Sequence, residues 1–242
     1  MNEDRIAEAG RSLKTMLGIE TLAGKSFLDI GSGSGLFSLA AMRLGATRVH
    51  SFDYDPQSVA CVLELKHRYF HQRAEWTIEQ GSVLDTDYLR SLGTFDIVYS
   101  WGVLHHTGAM WQALENVLLP LAKGGTLFIA IYNYQYGLSA YWTRIKRLYN
   151  RSALTRLAIL CFHWPYLFGL RFVVRALKGA WHYERGMSLW HDMIDWLGGY
   201  PFEVAKPEAV FDFYHLRGLT LLRQKTCGGR HGCNEYVIRK PA

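Results

Sequence analysis

Four groups of residues have types and spacings that suit chemistry. The first is Asp29-x-Gly31-x-Gly33-x-Gly35, which overlaps the end of a short apolar run, FLDI at 27–30. Glycines between a strand and a helix let a ligand approach the unpaired N–H groups at the helix start. A dinucleotide fingerprint would need Gly or Ala at Leu36, and a phosphate loop would need a following Lys-Ser/Thr pair; neither is present. Asp29 would repel a phosphate, whereas an ammonium or sulfonium charge would suit it. Asp53, about 20 residues past the loop, stands where an acid can hold both ribose hydroxyls. Together these residues describe a site for a nucleoside bearing positive charge, formed by Asp29, Gly31, Ser32, Gly33 and Asp53.

The other three groups concern proton transfer and metal binding. His105 and His106 lie in WGVLHHTG, and a His near its ordinary pKa is a suitable base for a hydroxyl. In HDMIDW (191–196), His191 and Asp195 are four apart and share a helix face, with Asp192 beside them. A His oriented by a carboxylate is a base arrangement, and ion pairing on a helix surface is the plainer reading. Cys227 and Cys233 flank His231, but the spacing is that of a hairpin turn and not of a zinc ribbon or finger, so no metal is expected. Tyr132 and Asn133 close an apolar run and could line a substrate mouth.

These residues need a scaffold. Short β-branched or aromatic runs at 26–30, 48–53, 76–80, 95–100 and 125–131 read as strands. Helical patterns at 35–44, 56–69 and 110–119 separate them. Such alternation predicts an α/β fold, a doubly wound parallel sheet covered on both faces. Residues 134–200 break the rhythm and read as helices. A helix at 207–216 and strands at 219–226 and 234–239, joined by a Gly-rich turn, then finish the chain with an antiparallel hairpin. The expected organisation is a core at 1–133, a helical insertion at 134–200, and a helix and hairpin at 201–242 that complete the core sheet. The 242 residues are 49% hydrophobic and 20% charged, enough for a sizeable core. Four cysteines make no disulfide framework, and the polar N-terminus MNEDRIAEAG is no signal peptide, so a cytoplasmic setting is expected.

FLDIGSGSG (27–35), SFDYDP (51–56), GSVLD (81–85) and YSWGVLHH (99–106) occur in the order of the motif series of class I S-adenosylmethionine-dependent methyltransferases, which this chain resembles over about residues 25–132. The resemblance is to members acting on small molecules, and it implies a Rossmann-like, seven-stranded sheet with its last strand antiparallel. It also implies that S-adenosylmethionine is the cofactor. Asp29 would sit near the cofactor's amino end, and Gly31, Ser32 and Gly33 would admit its methionine and ribose. Asp53 would hold the ribose, Tyr54 would pack on the adenine, and Ser82 and Val83 would edge it. Ser100 and Trp101 would line the methionine end. Ser82 stands where many members have Asp, and Asp85 follows three residues on.

The net charge of +6 is concentrated: residues 141–185 hold nine Lys/Arg against one Glu. Within them, 157–170 carries no Lys, Arg, Asp or Glu, and its 14 residues with His163 and Pro165 read as too short and broken to span a bilayer. Arg144, Arg147, Arg151 and Lys178 flank it, with Trp142, Trp164 and Trp181 interspersed. This composition suits a lid over an apolar substrate, and it also suits peripheral membrane contact through 141–185. The expected function is methyl transfer to a small-molecule or lipid-linked acceptor, at oxygen, with His105, His106, His191 or Asp195 as base. The alternatives are a membrane-surface or lipid-binding protein on the same fold, and an RNA methyltransferase. Nucleic acid is disfavoured: the basic block is apolar-rich, and WGVLHH replaces the Asn-Pro-Pro-Tyr of many base-modifying members.

Overall fold

The computed structural model describes residues 3–71, 74–170, 172–173, 177, 189–229 and 232–242, without the side chains of Leu189, His191, Asp192 and Asp195. The chain divides into two compact units, one of residues 1–134 with 204–242, the other of residues 135–203.

The first unit is built on a seven-stranded sheet in the order β3-β2-β1-β4-β5-β7-β6. The strands are β1 (Ser26–Ile30), β2 (Arg48–Asp53), β3 (Trp76–Gln80), β4 (Phe95–Trp101), β5 (Leu121–Tyr132), β6 (Thr220–Lys225) and β7 (Cys233–Arg239). The first five pair in parallel, and β7 runs antiparallel to both β5 and β6. Continuous apolar strands such as β1 are what a sheet covered on both faces requires. One face packs Leu28, Ile30, Val98, Leu127 and Ile129 into a common core, and the other packs Phe27, Val49, Tyr99, Phe128 and Ala130. On the second face Tyr99 stacks on Phe128, with ring centroids 4.7 Å apart.

The helices of this unit are α1 (Glu3–Leu17), α2 (Leu36–Arg43), α3 (Pro56–Phe70), α4 (Thr86–Ser91) and α5 (Met110–Asn116), with a further helix after the insertion. Their starts are legible in the sequence. Asp55 accepts hydrogen bonds from the Gln57 and Ser58 N–H groups at the head of α3, with Pro56 in its first turn. Asp85 accepts from Asp87 and Tyr88 to start α4. Two features depart from the sequence expectation. The helices α1 and α4 were not expected, and β5 begins four residues earlier than the predicted 125. The buried stripe Ile6, Ala9, Leu13 and Met16 gives α1 its packed face within an otherwise polar sequence.

The second unit holds α6 (Gly137–Tyr149), α7 (Ala153–Trp164), a π-helical turn at Pro165–Leu170 and α8 (Leu189–Gly198); after it the first unit resumes with α9 (Pro207–His215). Ser152 and Thr155 form a reciprocal capping box that starts α7. The helical run is longer than the 14 apolar residues suggested, because α7 and the π turn continue through Ala153–Leu170, 18 residues long and apolar enough, by length and composition alone, to cross a membrane.

The interior of this unit contains an amine. Lys146 is fully buried; its Nζ lies 4.0 Å from the ring centroid of Trp196 and 4.7 Å from that of Phe202, and it donates to the Trp196 carbonyl. Burial pulls its pKa down to about 7. The folded state therefore holds less proton than the unfolded chain between about pH 7 and the ordinary value of 10.5, so this residue makes stability rise with pH across that window. Lys146→Met is expected to flatten that rise in urea-unfolding free energies measured from pH 7 to 10, and to stabilise the protein at pH 7.

Candidate active site

The sheet changes winding direction between β1 and β4, and in open α/β sheets the crevice beyond the strands' carboxyl ends at such a point receives ligands. The glycine turn lies there. Gly31, Gly33 and Gly35 have φ of 72°, 52° and 73°, a region that penalises any side chain with a Cβ. The N–H groups of Gly31 and Ser32 donate to Phe52 O at 2.9 and 3.1 Å, which ties the turn to the end of β2. Gly33 N–H donates to Asp53 Oδ2 at 2.8 Å, and the other carboxylate oxygen accepts from Asp55 N–H at 3.0 Å. Asp53 is thus joined to the glycine loop itself.

The three glycines differ in surroundings. A Cβ on Gly31 would collide with the Val103 side chain, and one on Gly35 would meet Val62 at 2.9 Å; one on Gly33 would meet no protein atom within 4 Å. Gly31 is therefore required by packing against the WGVLHH turn, and Gly33 leaves the backbone open to approach. The Ser32 hydroxyl is buried with no hydrogen-bond partner among the described residues. It is a polar atom of the turn that the fold itself does not satisfy.

Asp29 lies below the turn and is 3% exposed. Ser38 Oγ donates to it at 2.5 Å, Ser51 Oγ donates to Ser38 Oγ at 2.7 Å, and Trp76 Nε1 donates to Ser51 Oγ at 2.8 Å. This chain crosses from α2 through β2 to β3, and only Asp29 of its four members was singled out from the sequence. Ser38 and Ser51 are isolated polar residues in apolar runs, the one local sign of a buried network. Burial pushes the Asp29 carboxyl up to about 7, outweighing the Ser38 hydrogen bond, and the Asp53 charge adds to the rise.

Several expected cofactor residues are bound up with the fold. Ser100 is fully buried and donates to Ile30 O at 3.1 Å, so its hydroxyl ties β4 to β1 immediately before the glycine turn. Val83 turns its side chain into the core, and its carbonyl accepts from Asn116 Nδ2 at 2.9 Å, so any part it takes in the crevice falls to its main chain. The Ser82 hydroxyl accepts from Leu84 N–H, and Asp85 is engaged as the cap of α4. Tyr54 is 78% exposed and Trp101 half-buried.

The histidines follow β4 in a short 3₁₀ turn, Leu104–His106. His105 is fully buried and His106 half-buried. Their rings meet Tyr132, at the end of β5, with centroids 4.0 Å from His105 and 5.5 Å from His106. Beside Tyr132, Asn234 Nδ2 donates to Asn133 Oδ1 at 3.0 Å, and Asn234 Oδ1 accepts from Cys227 N–H at 3.1 Å. Asn234 was missed in the sequence because β7 joins β5 only through the sheet. His191 and Asp195 fall on α8 in the second unit, with side chains outside the described residues, as is His231. Cys227 and Cys233 are half-buried and not joined in a disulfide, and among the described residues no three potential ligands converge on a metal site.

The parallel sheet closed by β7, the left-handed glycine turn and the acid at the end of β2 have the arrangement of the class I S-adenosylmethionine-dependent methyltransferase fold. Residues 28–127 match the Methyltransferase domain family. In solved structures the fold is similar to PKMT2 from Rickettsia typhi in complex with AdoHcy, with a TM-score of 0.64 at 14% identity, covering 96% of this chain and 52% of that one. It is also similar to an O-methyltransferase family protein from Burkholderia thailandensis, with a TM-score of 0.58 at 11% identity, covering 98% and 58%. A 47-residue stretch is 45% identical to the Ribosomal protein L11 methyltransferase of Xanthomonas oryzae pv. oryzae (strain MAFF 311018). That stretch is 19% of this chain and spans 15% of the relative's length.

Two outcomes are expected. Because folding raises the Asp29 pKa from 3.8 to about 7, the folded state holds a proton that the unfolded chain has released, and stability falls as pH rises across that window. Asp29→Asn should remove this fall in denaturant titrations between pH 4 and 7. Gly31→Ala, which combines left-handed strain with the Val103 collision, should destabilise the protein more than Gly33→Ala, measured by thermal unfolding.

Proposed function

We propose that this chain uses S-adenosylmethionine to methylate a hydroxyl of a small-molecule acceptor, with His106 as the base. The observation that carries this reading is the joining of two turns: Val103 of the WGVLHH turn packs over Gly31, and the same turn brings the half-buried His106 beside Tyr132. The residues of the crevice suit the cofactor. Its sulfonium would supply an electrophilic methyl group and carry a positive charge that the Asp53 carboxylate favours and that would draw the raised pKa of Asp29 back down. Asp53, already held by the Gly33 and Asp55 N–H groups, has its remaining acceptor capacity for the ribose hydroxyls. Gly33 permits close approach of the backbone, Gly31 and Ser32 complete the cradle, and the exposed ring of Tyr54 covers the adenine, with Ser82 and Val83 at its edge. Ser100 fixes the end of β4, so Trp101 meets the methionine end from a rigid strand.

The cofactor, when bound, would supply the methyl group to the acceptor oxygen, and the imidazole of His106 would take the acceptor's proton. His105, fully buried, positions the turn and does not itself reach the acceptor. Alignment supplies most of the barrier reduction in such a displacement, and a positioned base adds about 10²–10⁴-fold. The residue range 135–203 leaves the core directly after Tyr132 and Asn133, and we assign it to acceptor recognition. The composition of that range favours an acceptor with apolar character. The likeness to ribosomal protein L11 methyltransferases is short, 19% of this chain in the relative above, and it makes ribosomal proteins the acceptors to test beside small molecules.

The cofactor part is tested by calorimetry. S-adenosylmethionine should bind and NAD should not, and Asp53→Ala should weaken the first by about 10²–10⁴-fold, the worth of two charge-assisted hydrogen bonds. Unchanged affinity would remove Asp53 from the site. The acceptor part is tested with radiolabelled cofactor on phenolic and aliphatic hydroxy compounds alongside ribosomal proteins. His106→Ala should lower kcat by about 10²–10⁴-fold with little change in acceptor KM. Methyl incorporation into the ribosomal fraction alone would overturn the small-molecule reading.

A further inference from the structure

The helical run Ala153–Leu170 has two unlike faces. Ile159, His163 and Leu167, four apart, are buried within the second unit, and His163 is held there by Tyr141 Oη at 2.7 Å. The opposite face carries Leu154, Leu157, Ala158, Cys161 and Phe162, at helical spacings of three and four, and all five are exposed. Leu154 is 78% and Phe162 76% exposed, and Tyr166 and Leu170 extend the apolar surface into the π turn. A stripe of this kind on a globular protein marks an interaction surface.

The charge around it selects the partner. Residues 135–170 contain no Asp or Glu, and Arg144, Arg147, Arg151 and Arg156 are exposed on the same helical pair. An exposed apolar helix face in a stretch without acids, with exposed arginines on the adjoining helix and turn and with Trp164 and Tyr166 partly exposed at its end, matches an anionic bilayer interface: the acyl boundary takes the stripe and the headgroups take the charges. Eighteen residues rise about 27 Å, short of the ~30 Å hydrocarbon core. The buried face and the His163–Tyr141 bond hold the helix against its own unit, which a spanning helix would have to give up.

We propose that the exposed face of Ala153–Leu170 docks peripherally on an anionic lipid surface, lying in the plane of the membrane. This goes beyond the methyltransferase reading and does not depend on it.

The test is co-sedimentation of the whole protein with phosphatidylcholine vesicles containing about a quarter phosphatidylglycerol, against pure phosphatidylcholine. Binding is expected to the first set, reduced at least about tenfold in pure phosphatidylcholine and in about 0.5 M salt. The double variant Leu157→Glu/Phe162→Glu should lose at least about tenfold in vesicle affinity, and Arg144→Glu/Arg151→Glu should lose the preference for anionic lipid. Both pairs are exposed, and circular dichroism checks that the variants fold. If a variant is misfolded, quenching of wild-type tryptophan fluorescence by brominated lipid replaces it, and absence of quenching overturns the proposal. Failure to bind either vesicle, or binding untouched by the apolar pair, also overturns it. A concentration-dependent dimer in analytical ultracentrifugation that the apolar pair abolishes would mean that a second copy covers the face, and retention in membranes through alkaline carbonate washing would mean a span. Either result overturns peripheral docking.

Discussion

The hydrogen bond from Gly33 N–H to Asp53 is the constraint around which the cofactor crevice is built. It requires the chain to leave β1 through left-handed backbone, which only glycine adopts without strain, and it requires β2 to end level with that turn. The parallel register of β1 and β2, with Ile30 opposite Phe52, provides that level. Phe52 O then takes the Gly31 and Ser32 N–H groups, so the turn is held by main chain on one side and by a carboxylate on the other. A ligand entering there meets a loop whose shape has already been set, which is the condition for binding without a large ordering cost.

The same turn couples the loop after β1 to the loop after β4. Gly31 has no side chain, and Val103 fills the space it leaves. This fixes the loop after β4 against the loop after β1, and His105, His106 and Tyr132 then cluster at the ends of β4 and β5. Beneath, the Asp29–Ser38–Ser51–Trp76 chain holds a protonatable carboxyl in the core. An isolated buried carboxylate is expensive, and the neutral form relieves that cost near neutral pH. The second unit uses the same physics with the opposite sign: Lys146 stands among Trp196 and Phe202 with its charge disfavoured, its donors directed at a carbonyl and two ring faces.

Much of the fold is legible in the sequence because its signals are local. Strand runs, the glycine pattern, Pro56 and the capping acids each act within a few residues, and they place β1 to β4, α3 and the terminal hairpin nearly where they occur. The two missed helices show where local signals fail. Helix α1 is mostly polar and is stabilised by four buried side chains that only the sheet face explains, and α4 is six residues long, below what periodicity can register.

The sequence by itself determined the type of ligand site: glycines with no phosphate-binding partners, an acid before them and an acid at the end of the next strand leave little but a charged nucleoside. Only the tertiary structure decided which of the named side chains the fold itself takes up. Ser100 and Val83 carry the right types at the right motif positions, yet the hydroxyl of one and the side chain of the other turn into the fold, because buried polar groups and apolar side chains are satisfied by whatever neighbours the sheet brings. The Asn133–Asn234 pair, the Trp76 end of the Asp29 network and the opposite faces of Ala153–Leu170 likewise depend on partners distant in the chain. Sequence spacing encodes periodicity along an element, and contact across elements exists only once the sheet register and helix packing are set.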